Sequence, residues 1–195
     1  MPVTSTTMSL RKLPILVAAG LLLAAVAVGV VRAQGSPVRD FTVQKTEGGP
    51  TSLSSYADRK AVVVVFVNPG CAFSRLYQER LSALRGAYEG RGVAFMFVNV
   101  PINLDAGDGG GANLATFTDG GAASAALGVS KTTEAVVLQP SGGSFAIRYK
   151  GAIDDNPQVA SDVRQPYLRQ ALDNLLAGRA AGVGDTRAAG CLIKR

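Results

Sequence analysis

The segment from Ala61 to Val100 constrains the fold more than any other part of the chain. Ala61 to Val67 reads AVVVVFV, a continuous β-branched run of the kind found in a central strand buried on both faces. Asn68-Pro69-Gly70 ends it. Phe73, Leu76, Tyr77, Leu81, Leu84 and Tyr88 then recur at helical spacing and predict a single apolar stripe, stopped by Gly90 and Gly92. Val93 to Val100 (VAFMFVNV) predicts a second buried strand. Strand, helix and strand in so short a span make a βαβ unit, so the two strands are expected to be parallel with a right-handed crossover.

The flanking segments extend this unit. Gln34 to Arg39 reads as a linker. Phe41-Thr42-Val43 and Thr51 to Leu53, separated by the turn signal Glu47-Gly48-Gly49-Pro50, predict an N-terminal β-hairpin. Leu104 to Gly121 is rich in glycine and predicts a loop with no regular element; without Gly-Lys-Ser/Thr it is not a phosphate-binding loop. Ala122 to Leu127 predicts a short helix. Glu134 to Leu138 and Ser144 to Tyr149 flank Pro140-Ser141-Gly142-Gly143 and predict an antiparallel hairpin. Tyr167, Leu168, Ala171, Leu172, Leu175 and Leu176 stripe a final helix that Gly178 ends. The expected domain covers residues 34–178, and residues 179–195 are a tail carrying Cys191. The fold class is α/β: a three-layer α/β/α sandwich with a mixed central sheet and the N-terminal β-hairpin in front.

Arg11-Lys12, the uncharged run Leu13 to Val31, and Val31-Arg32-Ala33 have the order of a charged region, an apolar region and a small-residue cleavage site. Residues 1–33 therefore read as a signal peptide, with residues 13–31 as a membrane anchor if the leader stays uncleaved. Either way the domain is exported, periplasmic or extracellular, into surroundings where disulfides persist. The chain touches a membrane only through that leader. Of the 20 basic residues, three lie in the leader, which leaves 17 against 14 acidic residues and no case for nucleic acid. With no His, the 195-residue chain has no His-ligated zinc, Ser-His-Asp triad or His-ligated haem. Two Cys are too few for a Cys-only zinc site or an iron–sulfur cluster. Sulfur chemistry is what remains.

Cys71 falls where the first buried strand gives way to the helix. Free N–H groups and the positive end of a helix dipole favour the thiolate there, and the thiolate is the nucleophile. Ser74 and Arg75 follow within a turn and are candidate thiolate stabilisers. The competing reading is a small, buried, inert side chain. Tyr77, Tyr88 and Tyr167 read as core or boundary residues, Arg75, Arg80, Arg85 and Arg91 as a solvated helix face, and Asp154-Asp155-Asn156 as a solvated turn rather than a calcium site.

The stretch VVVVFVNPGCAFSRLYQERLSALRGAYEGRGVAFMFVNV resembles the redoxin family of the thioredoxin-like superfamily, which includes the alkyl hydroperoxide reductase/thiol-specific antioxidant branch. Arg148-Tyr149-Lys150-Gly151-Ala152-Ile153-Asp154-Asp155 is similar to a YxGxIDD signature of exported bacterial redoxins, and the GCxIK pattern of that subgroup is matched at Gly190-Cys191-Leu192-Ile193-Lys194. The resemblance implies a thioredoxin-like fold and either thiol–disulfide exchange or thiol-dependent peroxide reduction, with Cys71 as the nucleophile. It implies no metal or organic cofactor. The expected substrate is a protein disulfide or a small peroxide, and the expected electron donor is an exported thiol protein. The chain departs from the family at three points. Cys71-Ala72-Phe73-Ser74 lacks the second thiol of C-x-x-C. Asn68 and Val64 replace a hydroxyl residue and a proline. Thr132-Thr133-Glu134 lacks the proline that usually faces the active Cys, so a trans bond is expected there.

Cys191 has three readings. It is a resolving thiol for oxidised Cys71, the partner of Cys71 in a permanent structural disulfide, or a cysteine that does not meet Cys71. The structural disulfide belongs with a second function class, a non-enzymatic envelope binding module.

Overall fold

The apolar run at residues 61–67 has no polar edge to offer water, and the fold gives it a position where none is needed. In the computed structural model, which describes Met1 and residues 37–103 and 114–195, it is a strand with all seven residues buried. The strands are β1 (Pro37–Val38), β2 (Thr42–Lys45), β3 (Pro50–Ser52), β4 (Ala61–Val67), β5 (Val93–Asn99), β6 (Phe117–Thr118), β7 (Ala135–Ser141) and β8 (Ser144–Gly151). The helices are α1 (Ala72–Tyr88), α2 (Ala122–Leu127) and α3 (Tyr167–Leu176). Among the described residues the strands form one sheet in the order β1-β8-β7-β4-β5-β6-β2-β3. β4 pairs in parallel with β5 across the α1 crossover, as the βαβ reading requires, and antiparallel with β7. β7–β8 and β2–β3 are the two expected antiparallel hairpins.

Side chains alternate along a strand, so β4 feeds two cores. Val63, Val65 and Val67 pack with Tyr77, Leu81, Leu84 and Tyr88 of α1 and with Leu168, Ala171, Leu172 and Leu175 of α3. Val62, Val64 and Phe66 pack on the opposite face with Ala123 and Leu127 of α2, with Val43 and Leu53, and with Ile193 of the tail. Two helices on one face of a mixed sheet and one on the other make the thioredoxin-like α/β/α arrangement, with the N-terminal hairpin added at the β6 edge. The described residues from Pro37 to Arg195 form one unit that includes the tail. Among the described residues no helix is long and apolar enough to cross a membrane. The leader and residues 104–113 of the glycine-rich stretch lie outside the described residues.

Some local expectations are corrected. The linker at residues 34–39 contributes β1, which pairs with β8 and buries Val38. The stretch expected to lack regular structure contributes β6, which joins β5 to β2. Leu76 leaves the apolar stripe and is 46% exposed. The buried face runs through Ser74, Tyr77, Leu81, Leu84 and Tyr88, and Leu76 sits about 100° round the helix from its neighbour Tyr77.

Asp154 is buried, whereas Asp155 beside it is exposed as expected, and Arg80 is not on a solvated face. The Arg80 guanidinium meets the buried Asp154 carboxylate at 2.7 Å and also donates to the carbonyls of Asn156 and Pro157. Tyr77 donates its hydroxyl to the same carboxylate at 2.8 Å. Asp155 accepts the Arg164 and Gln165 N–H groups at 3.0 Å each. Among the described residues no group of three or more cysteine and carboxylate side chains is placed to hold a metal.

Candidate functional site

The end of β4 is a braced loop. The Asn68 carboxamide accepts the Gly70 N–H at 2.8 Å and donates to the Val100 carbonyl at 2.7 Å. The Cys71 N–H returns to the Asn68 carbonyl at 3.0 Å. Cys71 is the N-cap of α1, with extended backbone (φ −84°, ψ 120°), and its carbonyl accepts the Arg75 N–H. No acidic residue stands in the first turn of α1, so no carboxylate competes with the sulfur for the helix end. The two expected thiolate stabilisers serve the loop. Ser74 accepts the Asn68 N–H at 3.2 Å, and Arg75 donates to the Pro69 carbonyl at 3.0 Å.

Cys71 has no exposed surface and is joined to Cys191 by a disulfide, with S–S 2.10 Å and Cα–Cα 6.0 Å. Cys191 is half-buried. The tail reaches Cys71 as an ordered extended segment. On one side the Cys191 carbonyl accepts the Thr132 N–H at 2.9 Å, and the Ile193 N–H donates to the Ser130 carbonyl at 3.0 Å. On the other side the Leu192 carbonyl accepts the Asn103 N–H at 3.0 Å, and the Lys194 N–H donates to the Pro101 carbonyl at 2.9 Å. Ile193 is buried in the α2-side core.

Gly190 serves close approach. A Cβ there would run into the Thr132 carbonyl oxygen, so only glycine lets the two backbones meet. Upstream, Thr186 holds the tail to the other motif of the resemblance. Its hydroxyl accepts the Ala152 N–H at 2.8 Å and lies 2.7 Å from the Tyr149 hydroxyl, and a Cβ on Gly151 would collide with it.

The residue that sequence reasoning missed is Thr132, which is fully buried. Its hydroxyl accepts the Cys191 N–H at 2.9 Å and lies 3.1 Å from the Cys71 sulfur. A disulfide sulfur carries no proton, so the threonine is the donor. The signal lies in the Thr132-Thr133-Glu134 step, where the sequence offers two hydroxyls in place of the missing proline. Described peptide bonds there and elsewhere are trans. Thr133 takes a positive φ of 58°, an outlier for a β-branched residue, and its N–H is tied to the Phe66 carbonyl at 2.7 Å. The site thus consists of a disulfide, a helix N-terminus and a hydroxyl donor on the helix-side sulfur.

No protein-family model matches the chain, and no curated protein matches it. Among solved structures it is similar to a hypothetical protein from Sinorhizobium meliloti 1021, at 25% identity over 83% of this chain and 93% of that one, with a TM-score of 0.68. It is also similar to an uncharacterized conserved protein from Geobacillus kaustophilus, at 22% identity over 83% and 92% of the two chains, with a TM-score of 0.70. The thioredoxin domain of a thiol-disulfide oxidoreductase from Bacteroides vulgatus aligns more loosely, at 15% identity over 60% and 86%, with a TM-score of 0.44.

Proposed function

We propose that this chain is an exported thiol–disulfide oxidoreductase whose Cys71 and Cys191 cycle between a thiol pair and the internal disulfide. One observation carries the reading: the Cys71 sulfur sits at the α1 N-terminus and accepts the Thr132 hydroxyl. The positive end of the helix and the hydroxyl donor both lower the cost of negative charge on that sulfur, which a structural staple has no use for. A protein disulfide or dithiol is the favoured substrate over a small peroxide. Asn68 stands where a hydroxyl would position a peroxide, and its carboxamide is committed to Gly70 and Val100. Export rests on the leader, and the electron donor is another exported thiol protein. Kinship with the redoxins of the alkyl hydroperoxide reductase/thiol-specific antioxidant branch is part of this reading.

The complete burial of Cys71 favours a second reading, an envelope binding module stapled by the same bond. The two separate in one experiment. The oxidised protein is mixed with a reduced dithiol protein, free thiols are trapped by alkylation, and both are weighed. An exchange protein gains an alkyl group on each of its two Cys while its partner loses two thiols. Cys71→Ser and Cys191→Ser variants would transfer no net disulfide. A wild-type protein that remains unlabelled while its partner stays reduced is a staple.

A further inference from the structure

The two sulfurs of the pair are not equivalent. Building on the exchange reading above, we propose that Cys191 is the sulfur that meets the substrate and that Cys71 is the covered leaving and resolving group, the reverse of the roles that sequence reasoning assigns. Three observations carry this. Cys71 has no exposed surface, whereas Cys191 is half-buried and is followed by Leu192, which is 55% exposed. The segment lying over Cys71 is held by contacts that do not depend on the disulfide. These are the backbone bonds to Ser130, Thr132, Pro101 and Asn103, the Thr132 hydroxyl on the Cys191 N–H, and the buried Ile193 side chain. Opening the S–S bond therefore leaves Cys71 covered. Finally, the helix end and the Thr132 donor both lie on the Cys71 side, and exchange is faster when the departing sulfur is the better stabilised thiolate.

The chemistry balances in both directions. When the oxidised protein acts, a substrate thiolate attacks the Cys191 Sγ. The new S–S bond forms as the Cys71–Cys191 bond breaks, and the electron pair leaves on the Cys71 sulfur, facing the Thr132 O–H. A second substrate thiolate then attacks the first substrate sulfur and releases Cys191, so the substrate is oxidised and both cysteines are reduced. In the reductive direction the Cys191 thiolate attacks a substrate disulfide and expels one thiol. Cys71 then attacks the Cys191 Sγ, expels the second thiol and restores the internal disulfide.

The test uses full-length, single-cysteine proteins and a bulky probe, the thionitrobenzoate mixed disulfide of a small folded protein, whose release is coloured. Cys71→Ser, which retains Cys191, is expected to react at least about tenfold faster than Cys191→Ser, and its mixed disulfide is expected to persist for want of the resolving thiol. In urea the two rates should converge. Adding Ile193→Asp to Cys191→Ser should raise that variant's rate by loosening the tail. Because a serine variant can fold poorly, the unmutated reduced protein is also pulsed with a substoichiometric bulky maleimide and mapped; the adduct is expected on Cys191. An adduct on Cys71, or a Cys191→Ser protein that reacts as fast as Cys71→Ser, overturns the role assignment and leaves the exchange reading standing. If neither variant reacts until denatured, both fail.

Discussion

Thr132 shows how one side chain can serve two sulfurs. Its hydroxyl has one proton, given to the Cys71 sulfur, and a lone pair that accepts the Cys191 N–H. Thr132→Val keeps the shape and removes both contacts. It leaves the Cys191 N–H without a partner, at a cost of about 1–3 kcal/mol, read as a lower urea midpoint of the oxidised protein. It also removes a donor from the reduced Cys71, so alkylation of Cys71 by a small reagent, in the Ile193→Asp background that loosens the covering tail, should switch on at higher pH with Thr132→Val than without it. An unchanged pH profile would mean the hydroxyl only supports the tail. The position of Cys71 was legible, because a cysteine between an apolar run and an amphipathic helix falls at a helix N-terminus. Thr132 was not, since its role depends on a tail segment nearly sixty positions away whose path no local pattern encodes.

At the scale of elements, long patterns were legible and short ones were not. β4, α1, β5, α2, the β7–β8 hairpin and α3 follow from apolar runs and helical stripes long enough to show a period. β1 and β6 are two residues each, too short to show any alternation, and only pairing with β8, β5 and β2 makes them strands. Arg80 and Asp154 looked solvated because charge is usually exposed; burial against Tyr77 and each other is a property of the α1 packing.

The same packing sets an alkaline limit. Burial, reinforced by the hydrogen bond to Asp154, holds the Tyr77 hydroxyl well above the usual phenol range. Burial, reinforced by Asp173, raises Tyr88, and burial pushes Tyr149 up to about 12. A phenol whose folded value lies above its unfolded one stabilises the fold fully below the unfolded value of about 10, and that contribution is lost as pH rises through the folded value. The urea midpoint should therefore fall between about pH 10 and 12, with tyrosinate absorbance appearing together with unfolding. Tyr77→Phe should flatten part of that fall. A midpoint that stays level across this range would contradict the assigned burial.

For the whole molecule, the tail is as much part of the fold as any strand. It closes a 120-residue loop through the disulfide, which in the chain-entropy picture constrains the unfolded chain by on the order of 4–5 kcal/mol. It also fills the space between the Pro101–Asn103 and Ser130–Thr132 edges. A bond placed there stabilises the oxidised fold whether or not it turns over, so stability alone does not separate an exchange protein from a stapled module. What separates them is the energy of the bond relative to other dithiols. The stabilised Cys71 thiolate favours the reduced form and moves the couple toward the oxidising side. The reduction potential of the Cys71–Cys191 couple, measured by equilibrating the full chain with thioredoxin or graded glutathione buffers and weighing the alkylated products, tests this directly. The account predicts a value between about −120 and −270 mV, within the span of proteins that exchange disulfides. A value below about −300 mV would contradict it, because a bond that resistant is a staple.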